Sequence, residues 1–474
     1  MTDTPSGQAT DAIRHADILI IGGGLSGAML AVQLLRLPGK RQVLVIEPRA
    51  ELGRGEAYSA VELGHTLNGN AARMSVDPDN ADDLTQWLTE YIAAGGWPES
   101  DEQHVPISEL FPPRGLFGVY VQQRLAEAQA VGARYGSTVE HVRAEVVDVQ
   151  IDIDSVRLTL NDGQRLRGAY AVLATGMFAA ARTPQTESSG LNAAALDPWD
   201  VTAMRQLDPQ STVLIIGSGL TMVDAVVSLE QAGHRGPIEV FSRHGLLPHV
   251  RRQPPAWADF LAEDHSIRTP RQLMRELRRH CLDAIAQGID WQAPLDTVRA
   301  HIGRLWSQAT DVQRRQFVRH VRPWWESHHH RSPPLSAELV ARLHGEGRLR
   351  IHAASFKGLE PSLNGVSIRI RRRGEAQTCV VHGAALINSS GIEYDWRRVA
   401  RPLPQQLLAR GLVRPGPLAL GIAAADDGAV LGADGQVASR LFAMGPPLRG
   451  MWWESTAVTD VASQAKSLAA RLAG

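Results

Sequence analysis

Two glycine clusters carry the chemistry in this sequence. The first is Gly22-Gly23-Gly24-Leu25-Ser26-Gly27, a GxGxxG pattern after the aliphatic run Ile18–Ile21. Gly22 allows a tight turn, Gly24 lets the backbone approach a pyrophosphate, and Gly27 permits close packing of helix on strand. Leu25 and Ser26 open the helix, whose free N–H groups face an anion. Glu47 ends the next apolar run, about 20 residues after Gly27, where a carboxylate accepts hydrogen bonds from an adenosine ribose. Together these features point to a dinucleotide; a purely structural glycine turn is the plain alternative. The second cluster, Gly217-Ser218-Gly219-Leu220-Thr221-Met222, keeps the two phosphate-facing glycines and puts Met222 in place of the third. Its helix, opened by Leu220 and Thr221, should therefore pack less closely on its strand. The following strand ends Val240-Phe241-Ser242-Arg243, without a terminal acid. Arg243 sets a cation where a ribose 2′-phosphate would sit, favouring NADPH over NADH. The alternative is a duplicated fold whose second site is empty. Asp224 lies inside the helix and is not a ribose acid.

Other reactive side chains give weaker signals. His328-His329-His330 cannot all face one ion from regular structure, and no neighbouring cysteine or paired carboxylate completes a site, so no metal is expected. Trp324 and Trp325 read as core before substrate stackers. Glu454, beside Trp452 and Trp453, is either a tuned acid–base group or an ion-paired carboxylate. Arg251 and Arg252 face nicotinamide phosphates or a cleft, or form a solvated pair. Cys281 and Cys379 are the only cysteines, and no CxxC pair exists. A dithiol redox centre, a four-cysteine zinc site and a secreted disulfide framework are thereby excluded.

These groups need elements to hold them. Asp17–Leu34 and Thr212–Leu229 are similar, each an aliphatic run, a glycine turn and apolar residues at helical spacing. Val43–Glu47 and Ile238–Ser242 read as the strands that follow. Ala171–Gly176 and Ala384–Gly391 read as further strands ending in small residues, and Gly176 suits a backbone passing close to a cofactor. The expected fold is α/β: two Rossmann-like dinucleotide-binding domains, each a three-layer parallel sheet, with a helical insertion. Residues 1–204 and 387–474 form the first domain, 205–250 and 351–386 the second, and 251–350 the insertion. The insertion holds 17 Arg and no Lys against 11 Asp+Glu. It shows helical spacing over Arg271–Gln287 and Leu295–Val321. Its arginines read as solvated helix faces before a specific anion site. A β-like run at Val366–Ile370 and a last helix over Thr456–Leu472 complete the reading.

Composition closes other routes. Lys+Arg 49 against Asp+Glu 50 offers no polycation for nucleic acid. The N-terminal residues are polar and acidic, unlike a signal peptide, and the Ile18–Leu37 run is broken by glycines and by Gln33 and Arg36. A cytoplasmic protein without a membrane span is expected. Nothing reads on oligomeric state.

With these elements in order, the chain resembles the FAD/NAD(P)-binding protein family of bacterial two-dinucleotide-domain flavoproteins, which are distantly similar to the flavin-dependent N-hydroxylating monooxygenases. The resemblance rests on Gly22–Gly27, Leu52–Tyr58, His65–Asn68 with Arg73-Met74-Ser75, Phe111–Arg114, Ala174–Gly176, Phe241–Gly245, Trp324–Arg331, Met444-Gly445-Pro446 and Trp453–Thr456. It implies FAD at the first glycine cluster and NAD(P)H at the second. It implies that Arg54, Asn68 and Met74 lie near the flavin, and that Gly445 and Thr456 close over its ribityl and pyrimidine side. Thr456 would open the last helix, whose N–H groups stabilise negative charge on reduced flavin. An Asp commonly follows the C-terminal glycine in flavoprotein reductases; this chain has Pro446. The Baeyer–Villiger pattern FxGxxxHxxxW is absent after Gly176. The activity implied is an NADPH-dependent FAD monooxygenase, with O2 as co-substrate, that oxygenates a small substrate, perhaps an amine, through a C4a-(hydro)peroxyflavin. The alternatives are a flavin reductase serving a quinone or protein acceptor, and a non-catalytic redox sensor. The residues do not identify catalytic groups.

Overall fold

Ile18 to Ile21 are apolar without alternation, as expected for a strand buried on both faces. In the computed structural model they end the strand Arg14–Ile21. Ile18 and Ile20 pack into one core, Leu19 and Ile21 into another. The structure describes residues 13–97, 104–179, 195–262, 266–267 and 269–474.

The strand pairs in parallel with Gln42–Ile46 on one side and Arg165–Leu173 on the other. Thr138–Val142 extends the sheet beyond Gln42–Ile46, and Val437–Ala443 runs parallel to the end of Arg165–Leu173. The helices Leu25–Arg36, Arg114–Arg134 and Val458–Ala473 cover the Ile18 and Ile20 face. The antiparallel pair Val146–Ile151 and Val156–Leu160, with helix Pro402–Ala409, covers the other.

A second sheet repeats the plan. Its order is Cys379–Gly383, Val366–Arg372, Leu349–Glu360, Ile238–Ser242, Val213–Ile216, Ala385–Asn388, Ala195–Leu196. Val366–Arg372 pairs antiparallel with both its neighbours, and the other pairings are parallel. Helix Leu220–Gln231 packs on it through Met222, Val223 and Val226. Met222 is fully buried, so the missing third glycine is filled by core packing. Asp224 leaves the helix for Arg114 of the first domain, 3.0 Å away, and His65 Nε2 lies 2.7 Å from Ser228 Oγ. These polar pairs, all well covered, tie helix Leu220–Gln231 to the segment that carries His65 and Arg114.

The chain between Ile238–Ser242 and Leu349–Glu360 is helical, with Pro270–Ala286 as its longest helix. The expected continuous helical run over 295–321 is broken. Ala309 is extended and Thr310 caps a new helix reciprocally with Gln313, so Ile302–Gln308 ends before Asp311–Gln316. A π-helical turn over Phe317–Val321 then leads into Arg322–His329. This insertion buries Leu295, Val298, Ile302, Trp306 and Trp325 against Leu420 and Trp453 of the C-terminal segment. Trp325 is core, whereas Trp324 is 46% exposed, which corrects its reading as core. Among the described residues no helix is long and apolar enough to cross a membrane.

Candidate functional site

The first glycine turn sits where the strand Arg14–Ile21 hands over to helix Leu25–Arg36. Gly22 has φ +104°, and a Cβ there would lie 2.4 Å from the carbonyl oxygen of Ala174. A Cβ on Gly27 would lie 1.9 Å from Gly22 O. Gly24 faces Gly55 so closely that a Cβ would stand 3.4 Å from its Cα. The helix N-cap, Gly24, supplies no side-chain cap, so its first N–H groups stay available to an anion. Leu25 and Ser26 are its first residues. Glu47 is buried immediately after its strand; Gly23 N donates to its Oε2 at 2.9 Å and Arg49 N to its Oε1 at 3.1 Å. The carboxylate is therefore fixed beside the turn.

At the second turn Gly217 has φ +100°, and its Cβ would meet Ser389 O at 2.1 Å. Gly219 caps helix Leu220–Gln231 and faces open space. Leu220 and Thr221 begin that helix. Ser218 Oγ donates to Leu246 O at 2.5 Å, which pins the turn to the strand end. Arg243 is exposed there, with no ion pair to any described residue. Burial holds the neighbouring His244 below its ordinary range, helped by Arg243 and Arg373. Arg373 is thus a second cation at this strand end. The run Arg371-Arg372-Arg373 was its only sequence signal.

The residues that the resemblance sets near the flavin have these surroundings. Arg54 turns back onto its own surroundings, donating to Gln122 Oε1 at 3.2 Å and Gly115 O at 3.2 Å and pairing with Glu51 at 2.8 Å. Asn68 offers its carbonyl to Arg251 Nε at 2.8 Å. Met74 packs against the first core beneath Gly69. Gly176 has φ +70° and lines a small cavity with Tyr394, Trp396 and Pro446. Gly445 has φ +71° and is pressed against Ser26, where a Cβ would lie 2.4 Å from its Oγ.

Thr456 does not open the last helix. That helix is Val458–Ala473, with Ala457 as N-cap. Turns from Ser455 N to Trp452 O and from Ala457 N to Glu454 O fold the preceding segment back first, at 3.0 and 2.9 Å. Thr456 instead accepts from Arg449 Nη1 at 3.1 Å.

The lining of the first turn suits FAD. Thr175, against Gly22, and Ser455, near Gly445, have buried hydroxyls without a hydrogen-bond partner among the described residues. Orphaned buried polar atoms call for a polar occupant. With an uncapped helix start and a fixed carboxylate beside them, they fit the diphosphate, ribose and ribityl groups of that cofactor.

Where the insertion meets the C-terminal segment, long-range packing assembles a second polar group. His329 Nε2 lies 3.8 Å from Glu454 Oε1, and Arg299 Nη1 lies 3.7 Å from Glu454 Oε2. The ligand atoms of His329, His330 and Glu454 lie within 4.8 Å of one another, so a carboxylate does stand beside the histidines, contrary to the sequence expectation. Arg299, Arg331 and Arg251 face the same place and oppose a cation. His330 Nδ1 is already 2.5 Å from Glu326 Oε2. Burial raises Glu454 above its ordinary range, against the pull of His330, Arg449 and Arg299. Burial also drives His329 well below 6.5, reinforced by His330 and the three arginines.

That last shift has a stability consequence. The unfolded chain takes up a proton at His329 near pH 6.5, while the folded chain resists it. Stability from this site is therefore present above pH 6.5 and is lost as pH falls below it. His329→Asn should flatten the acid side of a plot of Tm against pH. An unchanged slope would show that His329 does not stay neutral.

Residues 19–178 match the family model described as FAD-NAD(P)-binding. The matched span contains the first glycine turn, Glu47 and Gly176. Zeaxanthin epoxidase of Nicotiana plumbaginifolia is 28% identical over 178 residues, covering 35% of this chain and 26% of that protein. The chain spans about a quarter of the length of the curated relatives it matches. The ornithine N-hydroxylase of Kutzneria sp. 744 superposes with a TM-score of 0.64 at 13% identity, covering 97% of this chain and 99% of that one. The L-lysine 6-monooxygenase of Pseudomonas syringae gives 0.65 at 14% identity, with 97% and 99% covered. The first glycine turn thus lies in a segment that matches an FAD-NAD(P)-binding model, within a chain that shares the α/β fold of these two structures.

Proposed function

We propose that the chain is an NADPH-dependent, FAD-containing oxidoreductase of monooxygenase type, acting on a small molecule with O2 as co-substrate. One observation carries the reading. Two glycine turns at parallel strand ends carry opposite charges, buried Glu47 at the first and exposed Arg243 at the second. A carboxylate suits a free adenosine ribose, and a cation suits a 2′-phosphate.

Bound FAD would carry electron pairs from the nicotinamide to oxygen. The chain's own residues do the rest. The N–H groups opening helix Leu25–Arg36 hold the diphosphate, and Glu47 accepts from the ribose hydroxyls. Gly219 and the helix behind it take the nicotinamide dinucleotide's phosphates, with Arg243 and Arg373 on the 2′-phosphate. Trp306 and Trp453 pack in the core between the insertion and the C-terminal segment, with the buried Arg449 guanidinium 4.2 Å from the Trp453 ring. Overall, NADPH, a proton, O2 and substrate give NADP+, water and oxygenated substrate. An amine is the substrate type that the fold's N-hydroxylating members suggest.

The cysteines support an external acceptor. Cys281 and Cys379 are both free thiols, and burial pushes Cys281 up to about 11, a poor nucleophile. Electrons therefore have no protein dithiol to enter. Oxygen consumption with NADPH, followed by assay of hydrogen peroxide and of oxygenated product across a panel of small amines, separates the candidates. Product formation coupled to NADPH is expected. Fast NADPH oxidation that yields only peroxide, or that requires a quinone, would move the assignment to a flavin reductase.

A further inference from the structure

Buried charges are paired in folded proteins, because an uncompensated ion loses its hydration. The arginine cluster beside Asn68 departs from this rule. Arg331 is fully buried, and its Nη1 has no hydrogen-bond partner among the described residues. Its Nη2 lies 2.8 Å from Asp296 Oδ1, but Arg73 claims the other oxygen of the same carboxylate at 3.0 Å. Arg299 has Asp460 at 3.0 Å. Among the described residues, Arg251 has only backbone acceptors, Asn68 O at 2.8 Å and His329 O at 3.5 Å. Among the described residues, four guanidinium groups thus share two carboxylates within 3.0 Å, Asp296 and Asp460, with Glu454 at 3.7 Å from Arg299.

We propose that Arg251 and Arg331, backed by Arg73 and Arg299, form an anion site that receives a carboxylate of the small-molecule substrate. A planar guanidinium with free N–H groups matches a carboxylate in a bidentate fork. The same surplus of positive charge repels a free diamine, so a substrate amine must come with an acid group on the same molecule. Burial and the facing arginines, Arg331 first, push Arg251 down to about 10 against the opposing pull of Asp296. Glu454 Oε2 stands farther off, 3.7 Å from Arg299 Nη1, and burial raises that carboxyl above its ordinary range. A recess lined by Arg73, Asp77 and Thr459 opens beside the cluster, and Arg299 Nη2 donates to Thr459 Oγ1 at 3.1 Å.

The site rests on the proposed function only for the identity of its occupant as substrate. A phosphate of the nicotinamide dinucleotide has the same chemistry and is the competing source. Calorimetry on the FAD-loaded protein tests both, with succinate as carboxylate probe, putrescine as cationic control and NADP+ as a separate arm. Succinate should bind and putrescine should not. Arg251→Gln should weaken succinate by about tenfold or more while NADP+ changes by less than about twofold. Arg251→Lys, which keeps the charge, should recover part of the loss. Failure of succinate to bind, preferential binding of putrescine, or a tenfold loss confined to NADP+ would each overturn the site. Flavin content, read from the visible spectrum, reports separately on the proposed function. A colourless protein that still binds succinate through Arg251 would keep the site and sink that function.

Discussion

Gly27→Ala should yield protein that does not retain FAD and that has lost about 2–5 kcal/mol of unfolding free energy. The added Cβ would stand 1.9 Å from Gly22 O and 3.0 Å from Gly22 C. Both are backbone atoms of the turn itself, so no rotamer change relieves the overlap. The helix must move off its strand, and its first N–H groups move with it. Gly22→Ala should behave similarly, because its φ of +104° also disfavours any L side chain. Gly219→Ala is the contrasting variant. A Cβ there meets no atom within 4 Å, so folding and FAD content should survive. The checks are absorbance-based FAD stoichiometry after desalting and a melting curve. A yellow Gly27→Ala protein with an unchanged Tm would contradict the close-packed turn.

The second large effect lies at Arg243. Arg243→Gln should raise KM for NADPH by roughly tenfold to a hundredfold while leaving KM for NADH nearly unchanged. The side chain is exposed and without a described ion partner, so its removal costs little stability. What it loses is a charge-assisted bond to a phosphate that NADH lacks. Arg373→Gln should produce a smaller loss in the same direction, since its placement beside His244 makes it a second contributor to the positive field. Steady-state kinetics with both nucleotides gives the ratio. Parallel losses for NADPH and NADH would show that Arg243 serves the cleft and not the 2′-phosphate.

The dinucleotide turns were legible because their requirements are local. Gly22, Gly24, Gly27 and Glu47 stand at spacings that only a strand, a turn, a helix and a second strand explain. Chain reversals and handedness then follow from the parallel sheets. The cleft was less legible, because its polar group is assembled by long-range packing. Asp296 meets Arg331 and Arg73 from separate elements, and Glu454 reaches His329 across the interface between the insertion and the C-terminal segment. No spacing along the chain encodes those approaches. Thr456 shows the limit of transferring roles by resemblance, since the last helix begins at Val458. Arg54 is engaged by Gln122, Gly115 and Glu51, and Thr456 by Arg449, contacts set by this chain's own loops. The break at Ala309 and the cap at Thr310 were present as a Thr-x-x-Gln signal, yet the apolar spacing on either side masked them. Trp324 and Trp325, adjacent in sequence, part company because neighbouring helical positions point about 100° apart.

Anaerobic mixing of the FAD-loaded protein with NADPH or with NADH, followed by the visible flavin absorbance, addresses the central claim most directly. The account predicts rapid bleaching by NADPH and bleaching by NADH that is slower at least about tenfold at equal, subsaturating concentration. Equal bleaching by both nucleotides would contradict the role of Arg243, and no bleaching by either would contradict the reading of the second glycine turn as a nicotinamide site.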